Sequence, residues 1–485
     1  MVEVFLKQTF NMARINSVVL NLILPVILAV IFFRSTALTS LRDGMKPYFV
    51  HDPNGARSEN TTVAASQIAE ALDTIFSGRF LLSLGLSVAL VYSSVYVYQL
   101  LFYPLELTRS EGDVGYILDH RGGKSKQDVA NEMRQRRRLG NLPPVYPNGW
   151  FSLFRSHQVQ KEPRYVSALG QELVVFRGED DGQAYIVDAY CPHLGANLGV
   201  GGQVRGNCIE CPFHGWTFRG EDGKCVKIPY AQKVPDFAKI KSWPCLETNG
   251  EIFVWFHAEG AEPSWTPPVI EEIANGKMKY HGMTEHVVNA HVEEVPENGA
   301  DIAHLGHLHG PIMFLGRDLR EIYNVFWSFA KHEWVGNWDI SPDEKHTGTL
   351  SLKHRCTIFG IPLPLMTVSA EAIQVGPGLV HLFIRHWLFG EAVLVHAITP
   401  IEPLKQKLTH CCWSRTFPRF AAKLILFSEC LQVERDMMVW NHKTYMSKPV
   451  LVKEDSLISK HRRWYSQFYS ENSPKYYERK VELSW

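Results

Sequence analysis

The feature that most constrains this chain is the stretch from Cys191 to His214, which contains two pairs of metal-ligand residues. One pair is Cys191-x-His193 and the other is Cys211-x-x-His214, and a glycine-rich loop lies between them. Two thiolates and two imidazoles suit a [2Fe–2S] cluster in which both cysteines bind one iron and both histidines bind the other. Each pair offers one sulfur and one nitrogen, so the spacing predicts two loops that together enclose such a cluster.

A structural zinc ion is the alternative occupant of these loops, because zinc also binds two cysteines and two histidines. The neighbouring residues favour the cluster. Pro192 and Pro212 lie inside the two pairs, and Gly215-Trp216 follows the second pair directly. The glycines between the pairs would let backbone N–H groups approach the cluster sulfurs. This context is typical of a Rieske-type [2Fe–2S] cluster rather than of a zinc site.

A second group of potential metal ligands follows in the pattern Asp301-x-x-His304-x-x-x-x-His309. Asp301 and His304 are three residues apart, so they would share one face of a helix whose first turn is acidic. His304 and His309 would lie about 140° apart on an unbroken helix, and both can bind one metal only if the helix ends between them. Gly306 and Gly310 favour such an end.

Two histidines need a carboxylate to complete the facial triad of a mononuclear non-haem Fe(II) site. Residues 418–445 predict a long helix that could supply it, and its acidic residues include Glu429, Glu434 and Asp436. The alternative interpretation is a surface helix end with scattered histidines, of which His307 is one more. A cluster motif upstream favours the iron site.

Two regions show the short segments of β-branched and aromatic residues that are typical of strands. In the first region these segments are 165–176, 184–189, 226–228 and 252–256. In the second region they are 348–359, 366–375, 379–389 and 392–400. We therefore expect an α+β chain with a small antiparallel β domain around the cluster. We also expect an antiparallel sheet with helices that encloses an apolar pocket at the mononuclear site.

The N-terminal region contains two apolar segments. Residues 18–33 are short for a membrane span, and a signal peptide or a buried helix is the alternative. Residues 80–103 carry no charge over more than 20 positions and have tyrosines toward their C-terminal end, so they predict a transmembrane helix.

Basic residues that follow Pro104, including the run 136–138, predict the orientation of this anchor. The positive-inside rule places the loop 34–79, with a glycosylation sequon at Asn60, in the lumen. Everything after residue 104 would face the cytosol, as expected for a protein of the endoplasmic reticulum membrane. Residues 104–147 are predicted to be a basic linker because they show little apolar periodicity.

Charge and cysteine content exclude some classes of protein. The 50 Lys and Arg residues are balanced by 50 Asp and Glu residues, so there is no electrostatic case for binding nucleic acid. All nine cysteines lie at or after Cys191, and their spacing does not suggest a disulfide framework. This usage fits a reducing compartment such as the cytosol.

Residues 148–260 resemble the Rieske domain of the Rieske oxygenases, and CPHLGANLGVGGQVRGNCIECPFH is the most specific part of that resemblance. Rieske subunits of respiratory cytochrome complexes are less similar, because they carry an additional cysteine in each loop. The matching positions here are Ala196 and Phe213. The resemblance implies that the cluster is bound by Cys191, His193, Cys211 and His214.

The same resemblance implies that a mononuclear iron is bound by His304, His309 and a carboxylate from a late helix, and Asp436 matches that carboxylate in position and context. Asp301 would instead hydrogen-bond an iron-ligand histidine and a cluster histidine of a neighbouring subunit. A head-to-tail homotrimer is implied, because the distance between the two sites within one chain of the family is too long for efficient electron transfer. Electrons would come from a separate NAD(P)H-dependent reductase or ferredoxin.

The N-terminal segments, the linker, the sequence PNGWF at 147–151 and the cluster motif together resemble the Neverland group of animal cholesterol 7-desaturases over residues 80–450. This implies conversion of cholesterol to 7-dehydrocholesterol with O2 and two electrons, at a membrane in which the sterol dissolves. One alternative is a Rieske monooxygenase that hydroxylates another steroid or apolar substrate. An alternative of a different class is a Rieske electron-transfer protein without oxygenase activity.

The predicted domains are a membrane anchor at 1–103, a basic linker at 104–147, a Rieske domain at 148–260, a catalytic iron domain at 261–450 and a C-terminal tail at 451–485. The tail is basic and aromatic, and we expect it to pack on the catalytic domain.

Overall fold

A computed structural model of the protein describes residues 78–117, 122–312, 316–323, 325 and 328–476. The chain divides into two compact units, Met1–Tyr103 and Pro104–Trp485.

In the first unit, helix α1 (Gly78–Phe102) covers the predicted membrane segment 80–103. Within the described residues, no helix combines the length and the apolar character that crossing a membrane requires. The predicted segment 18–33 and the sequon at Asn60 lie outside the described residues.

The cluster motif lies in a region of three antiparallel sheets. Their strands are β2 (Gly149–Arg155), β3 (Arg164–Ala168), β4 (Gln171–Arg177), β5 (Ala184–Asp188), β6 (Gln203–Arg205), β7 (Cys208–Glu210), β8 (Thr217–Arg219), β9 (Cys225–Lys227), β10 (Ser242–Trp243), β11 (Cys245–Thr248) and β12 (Glu251–Phe256). The strand orders are β10-β5-β4-β3, β11-β12-β2 and β6-β7-β8-β9.

The predicted strand at 165–176 was wrong, because the chain turns back in its middle. Leu169 and Gly170 have φ values of 57° and 69°, which makes them the two central residues of a tight hairpin between β3 and β4. Leucine rarely adopts a positive φ, so its apolar side chain suggested strand instead. Burial of Leu169 compensates for this conformation, since its side chain is 1% exposed.

An eight-stranded sheet forms the larger part of the second unit. Its strands are β1 (Leu105–Thr108), β13 (Lys279–Val288), β14 (Ala330–Ile340), β15 (Thr347–Ile358), β16 (Ile361–Val375), β17 (Leu379–His386), β18 (Gly390–Glu402) and β19 (Lys405–Ser414). Their order is β1-β13-β19-β18-β17-β16-β15-β14, and only the pair β1–β13 is parallel among the described strands. The α+β class is thus confirmed for the Rieske and catalytic parts.

The remaining helices are short, apart from one that packs across the sheet. They are α2 (Lys126–Arg136), α3 (Glu271–Ala274), α4 (Glu294–Glu297), α5 (Ile302–His307), α6 (Arg419–Trp440) and α7 (Ser456–Tyr465), with 3-10 turns at Ser156–Gln158, Lys453–Asp455 and Ser466–Phe468.

Helix α6 packs on the sheet through small and medium apolar residues. Ala422, Leu426 and Cys430 form a buried cluster with Leu394 and Cys412 of the sheet. Other apolar residues of the helix do not share this burial, since Phe420 and Leu424 are exposed. The helix is apolar on several sides, so periodicity alone did not identify the buried stripe.

The predicted linker at 104–147 contains a strand at its start and a helix in its middle. Strand β1 pairs with β13 at the edge of the sheet, and helix α2 is capped by Ser125, whose side chain accepts a hydrogen bond from the N–H of Asp128. Arg109 and Arg137 are buried and form ion pairs with acidic residues of the catalytic region. These two basic residues of the predicted linker are therefore part of the interior.

The described part of the tail packs as predicted. Trp464, Tyr465 and Phe468 form a buried cluster with Ala300 and Trp338. Since Ala300 directly precedes Asp301, the tail supports the segment that carries the second ligand group.

Candidate metal centres

The two cluster loops have the same backbone design. The first loop begins after β5, and the N–H of Gly195 donates to the carbonyl of Cys191 at 2.9 Å. The second begins after β7, and the N–H of Gly215 donates to the carbonyl of Cys211 at 3.0 Å. Gly195 and Gly215 have φ values of 75° and 70°, which glycine adopts without strain. Each loop thus turns tightly around its own cysteine.

These turns bring the two cysteines together in the interior. Cys191 and Cys211 are 2% and 3% exposed, and their side chains are within hydrogen-bonding distance of each other. Burial, together with the neighbouring Cys211 thiol, raises the pKa of Cys191 to about 11. Two adjacent buried thiols can both be thiolates only beside a cation, and a cluster iron provides that charge. All nine cysteines are free thiols, in line with the absence of a disulfide pattern in the sequence.

The two histidines lie next to this thiol pair. The ring centroids of His193 and His214 are 4.7 Å apart, and the His193 ring stacks on Trp216 at 4.9 Å. Nδ1 of His193 is buried without a hydrogen-bond partner. Phe213 beside His214 is exposed, so the histidine side of the site is near the surface. Two thiols and two imidazoles on facing loops fit the ligand set of a Rieske cluster.

Asp301 lies directly before the first residue of helix α5 and is not part of the helix. The Asp301 carboxylate accepts a hydrogen bond from the N–H of His304 at 3.2 Å, which makes Asp301 the N-cap of the helix. The prediction that both residues lie on one face within a helix was therefore wrong. The helix ends at His307, and His309 follows the end, so the break that the spacing required is present.

The structure brings His304, His309 and Asp436 together, with potential ligand atoms within 4.8 Å of one another. Nε2 of His309 lies 3.2 Å from a carboxylate oxygen of Asp436, and the two histidine rings are 5.0 Å apart. Nδ1 of His304 contacts the carbonyl of Asp301, which leaves Nε2 free to bind a metal. Nδ1 of His309 is buried without a partner. Two imidazoles and a carboxylate fit a mononuclear iron.

The other candidate ligands, Glu434, His307 and Glu429, do not belong to this ligand group. Glu434 is fully buried and lies 2.6 Å from Nε of Arg109 and 2.9 Å from a guanidinium nitrogen of Arg317. The ring of His307 lies 5.1 Å from that of Tyr323. Glu429 is near the site without joining the group, and burial raises its pKa to about 7.

Arg435 connects the two halves of this site, and sequence reasoning missed it. Its side chain is 1% exposed and donates to four carbonyls of the segment that contains His309. The acceptors are Leu308 at 3.2 Å, Pro311 at 2.8 Å, Ile312 at 3.1 Å and Gly316 at 2.9 Å. Because Asp436 is the next residue, one guanidinium holds the His309 segment against the helix that carries the carboxylate. Only the position beside Asp436 could have suggested this role.

A further group, His286, Cys430 and Glu434, has ligand atoms at similarly short separations. It does not fit a metal, because Arg109 and Arg317 already neutralise Glu434 and a cation would be repelled. We interpret it as a buried ion-pair network that attaches strand β1 to helix α6.

The two candidate sites lie in regions that match known protein families. Residues 149–243 match the Rieske [2Fe-2S] domain, and residues 254–469 match the 3-ketosteroid 9alpha-hydroxylase C-terminal domain. A cholesterol 7-desaturase of Hemicentrotus pulcherrimus is 54% identical over 80% of this chain and 83% of its own length. A cholesterol 7-desaturase of Xenopus laevis is 52% identical over 79% of this chain and 84% of its own length.

The solved structure of NdmA from Pseudomonas putida CBB5 with caffeine has the same fold. It matches with a TM-score of 0.50 at 17% identity, over 67% of this chain and 94% of that one. Fold, loops and ligand groups define a Rieske non-haem iron oxygenase, an oxidoreductase with a Rieske cluster and a mononuclear iron that receives electrons from a separate reductase or ferredoxin. Within this class, the chain belongs to the cholesterol 7-desaturase family.

Proposed function

We propose that this protein desaturates a sterol, converting cholesterol to 7-dehydrocholesterol with O2 and NAD(P)H-derived electrons. The observation that carries the proposal is the 54% identity to a cholesterol 7-desaturase over 80% of the chain. The grouping of His304, His309 and Asp436 supports it, because it provides the oxygenase site that this chemistry needs.

In this proposal Cys191, His193, Cys211 and His214 hold the cluster, and His304, His309 and Asp436 hold the iron. When bound, the cluster would supply single electrons and the iron would activate O2. The chain's own residues prepare the second site. The carbonyl of Asp301 orients the His304 ring, and Arg435 holds the His309 segment against Asp436.

Asp301 has the properties that a bridge between subunits requires. Its carboxylate is a third exposed, and one oxygen lies 3.9 Å from Nδ1 of His304 while the other caps helix α5. A histidine from a neighbouring subunit can therefore reach the exposed side. We include in the proposal a head-to-tail homotrimer in which Asp301 contacts a cluster histidine of the next subunit.

The proposal places the enzyme at a membrane, with the catalytic region on the cytosolic side of the endoplasmic reticulum. Residues 80–103 contain no charged side chain, and Leu86, Leu90 and Val91 of helix α1 are exposed. Exposed apolar residues on a helix favour lipid contact. A sterol dissolves in the bilayer, so attachment there would keep the enzyme beside its substrate.

A second candidate activity is hydroxylation of another steroid. It is favoured by the match of residues 254–469 to the 3-ketosteroid 9alpha-hydroxylase C-terminal domain. Both activities would use an iron held by the same ligand set, so the ligand set does not distinguish them.

The test is expression in cells fed with cholesterol, followed by mass spectrometry of the sterols. We expect 7-dehydrocholesterol with the wild-type chain and none with His304→Ala. The matched control is His307→Ala, a histidine on the same helix outside the ligand group. A hydroxylated product from a 3-ketosteroid fed in parallel would support the second candidate, and no oxidised product from either steroid would contradict both.

A further inference from the structure

One end of the eight-stranded sheet exposes large apolar side chains. Phe359, Ile361 and Trp387 are 76%, 68% and 69% exposed. We define the apolar patch as Phe359, Ile361, Leu365, Trp387, Leu388 and Phe420, all of which are exposed. Several large apolar residues together on a surface mark an interaction site, whereas isolated ones do not.

Contacts between its elements make the patch continuous. The indole N–H of Trp387 donates to the carbonyl of Pro364 at 3.0 Å, so the β17–β18 turn lies against the start of β16. Phe420 lies beside the same turn, with its ring 6.4 Å from that of Phe389. Strand β16 starts at Ile361, beyond the point where its pairing with β17 begins at Ser369. The β15–β16 hairpin tip therefore projects past the end of the neighbouring strand.

The register of the sheet relates this patch to the start of strand β1. Leu105 pairs with Gly282 of β13, close to Lys279 at the beginning of that strand. Lys279 pairs with Ser414, which in turn pairs with Ala392 near the β17–β18 turn. The chain therefore enters the sheet at the end that carries the patch. The preceding residues are those of the proposed membrane anchor.

Basic residues accompany the patch at this end. Lys279 and Arg415 are exposed, and Arg419 at the start of helix α6 donates to the carbonyl of Tyr280. Aromatic side chains next to basic residues are suited to the interface between acyl chains and anionic headgroups. This holds when their polar atoms, such as an indole N–H, already have hydrogen-bond partners. A protein partner would not require the patch to lie at the end where the chain enters the sheet.

We propose that the apolar patch is a second membrane contact, which inserts the hairpin tip and the β17–β18 turn into the headgroup region of the bilayer. This inference rests on the proposed membrane location and sterol substrate. Its consequence is a fixed orientation of the catalytic region, with one end of the sheet against the bilayer that holds the sterol.

Intrinsic tryptophan fluorescence tests this contact directly. All 13 tryptophans lie at or after Trp150, so emission reports on the region beyond the anchor. The full chain is reconstituted in phosphatidylcholine–phosphatidylserine vesicles, with and without brominated phosphatidylcholine, which quenches tryptophans at the level of the acyl chains. We expect a loss of emission in the brominated vesicles that disappears in Trp387→Phe.

Two added tryptophans provide a gain of signal and its control. Phe359→Trp at the hairpin tip should increase the quenched loss about twofold, because it adds a second residue at the interface. Phe237→Trp, at an exposed position on the Rieske domain, should add emission without adding loss. No difference between these two variants would overturn the membrane contact.

The other outcomes are equally distinct. Quenching that persists in Trp387→Phe contradicts the proposal. A patch variant that dissociates the oligomer but leaves quenching unchanged also contradicts it, because the patch would then be a subunit interface. Flotation and sterol turnover are measured on the same vesicles. A chain that floats and oxidises sterol without quenching refutes only the patch contact, and quenching without sterol oxidation refutes only the proposed function.

Discussion

The two metal centres are built in opposite ways from one chain. All four cluster ligands fall within Cys191–His214, on two loops that each close through a backbone hydrogen bond to their own cysteine. The mononuclear site joins His304 and His309 to Asp436, which lies on a helix far along the sequence. The first site is local and largely self-supporting, whereas the second depends on contacts that bring distant segments together.

The largest expected effects on metal content and activity come from substituting one metal ligand in each site. Cys211→Ala should remove the Rieske cluster and its spectrum while the mononuclear iron stays bound. His304→Ala should remove the mononuclear iron and leave the Rieske spectrum unchanged. Both variants should lose sterol oxidation, because each site is needed. Iron analysis and electron paramagnetic resonance of the purified chains provide the measurement.

These lesions also distinguish an enzyme from an electron-transfer protein. A chain without its own oxygenase site would bind the same amount of iron with and without His304. Equal iron content in the wild type and His304→Ala would therefore contradict the difference between the two centres.

Asp301→Asn should leave both metal sites loaded but lower the rate of sterol turnover. Asparagine is as good an N-cap as aspartate, so helix α5 and both metals should be retained. Loss of the carboxylate charge should lower sterol turnover by about 100-fold, the upper range for residues that orient metal ligands. Normal turnover at full metal content would remove Asp301 from the electron path.

Arg435→Lys should weaken the mononuclear site specifically. Lysine keeps the charge but cannot donate to four carbonyls in a fixed geometry, so we expect about tenfold weaker iron binding at this site. The control is Arg177→Lys in the Rieske region, where the arginine also donates to backbone carbonyls, including those of Val159 and Gly182. Equal loss of mononuclear iron in both variants would indicate general destabilisation.

The smallest effect on the metals is expected at Glu434. Glu434→Gln would leave buried Arg109 without its charge partner and should lower the free energy of unfolding by about 3 kcal/mol, with both metals still bound. Glu391→Gln breaks an exposed pair with Arg385 and should change that free energy by less than about 1 kcal/mol. Denaturant titration of the two variants measures the difference.

The contrast between the centres explains what could be read from the sequence. The cluster loops were predictable because ligand types, spacing and turn residues are all contained in one short stretch. The break between His304 and His309 was predictable from helix geometry. The structure then grouped Asp436 with these histidines and directed Glu434 to Arg109, a choice that periodicity on helix α6 could not make.

Non-local contacts account for the features that were missed. Arg109 and Arg137 were taken for linker charges because nothing near them in sequence shows that Glu434 and Glu294 lie beside them. Arg435 has no motif, since its partners are carbonyl groups that any residues provide. The hairpin turn at Leu169 was missed because burial overrides the usual preference for glycine or asparagine.

The central proposal is that the cluster of one subunit reduces the iron of its neighbour. It is tested by co-expressing Cys211→Ala with His304→Ala and measuring sterol oxidation by the purified mixed oligomer. With equal amounts of the two chains, we predict about a quarter of wild-type activity, because that fraction of head-to-tail interfaces pairs an intact cluster with an intact iron site. Activity no higher than that of either variant alone would contradict transfer between subunits.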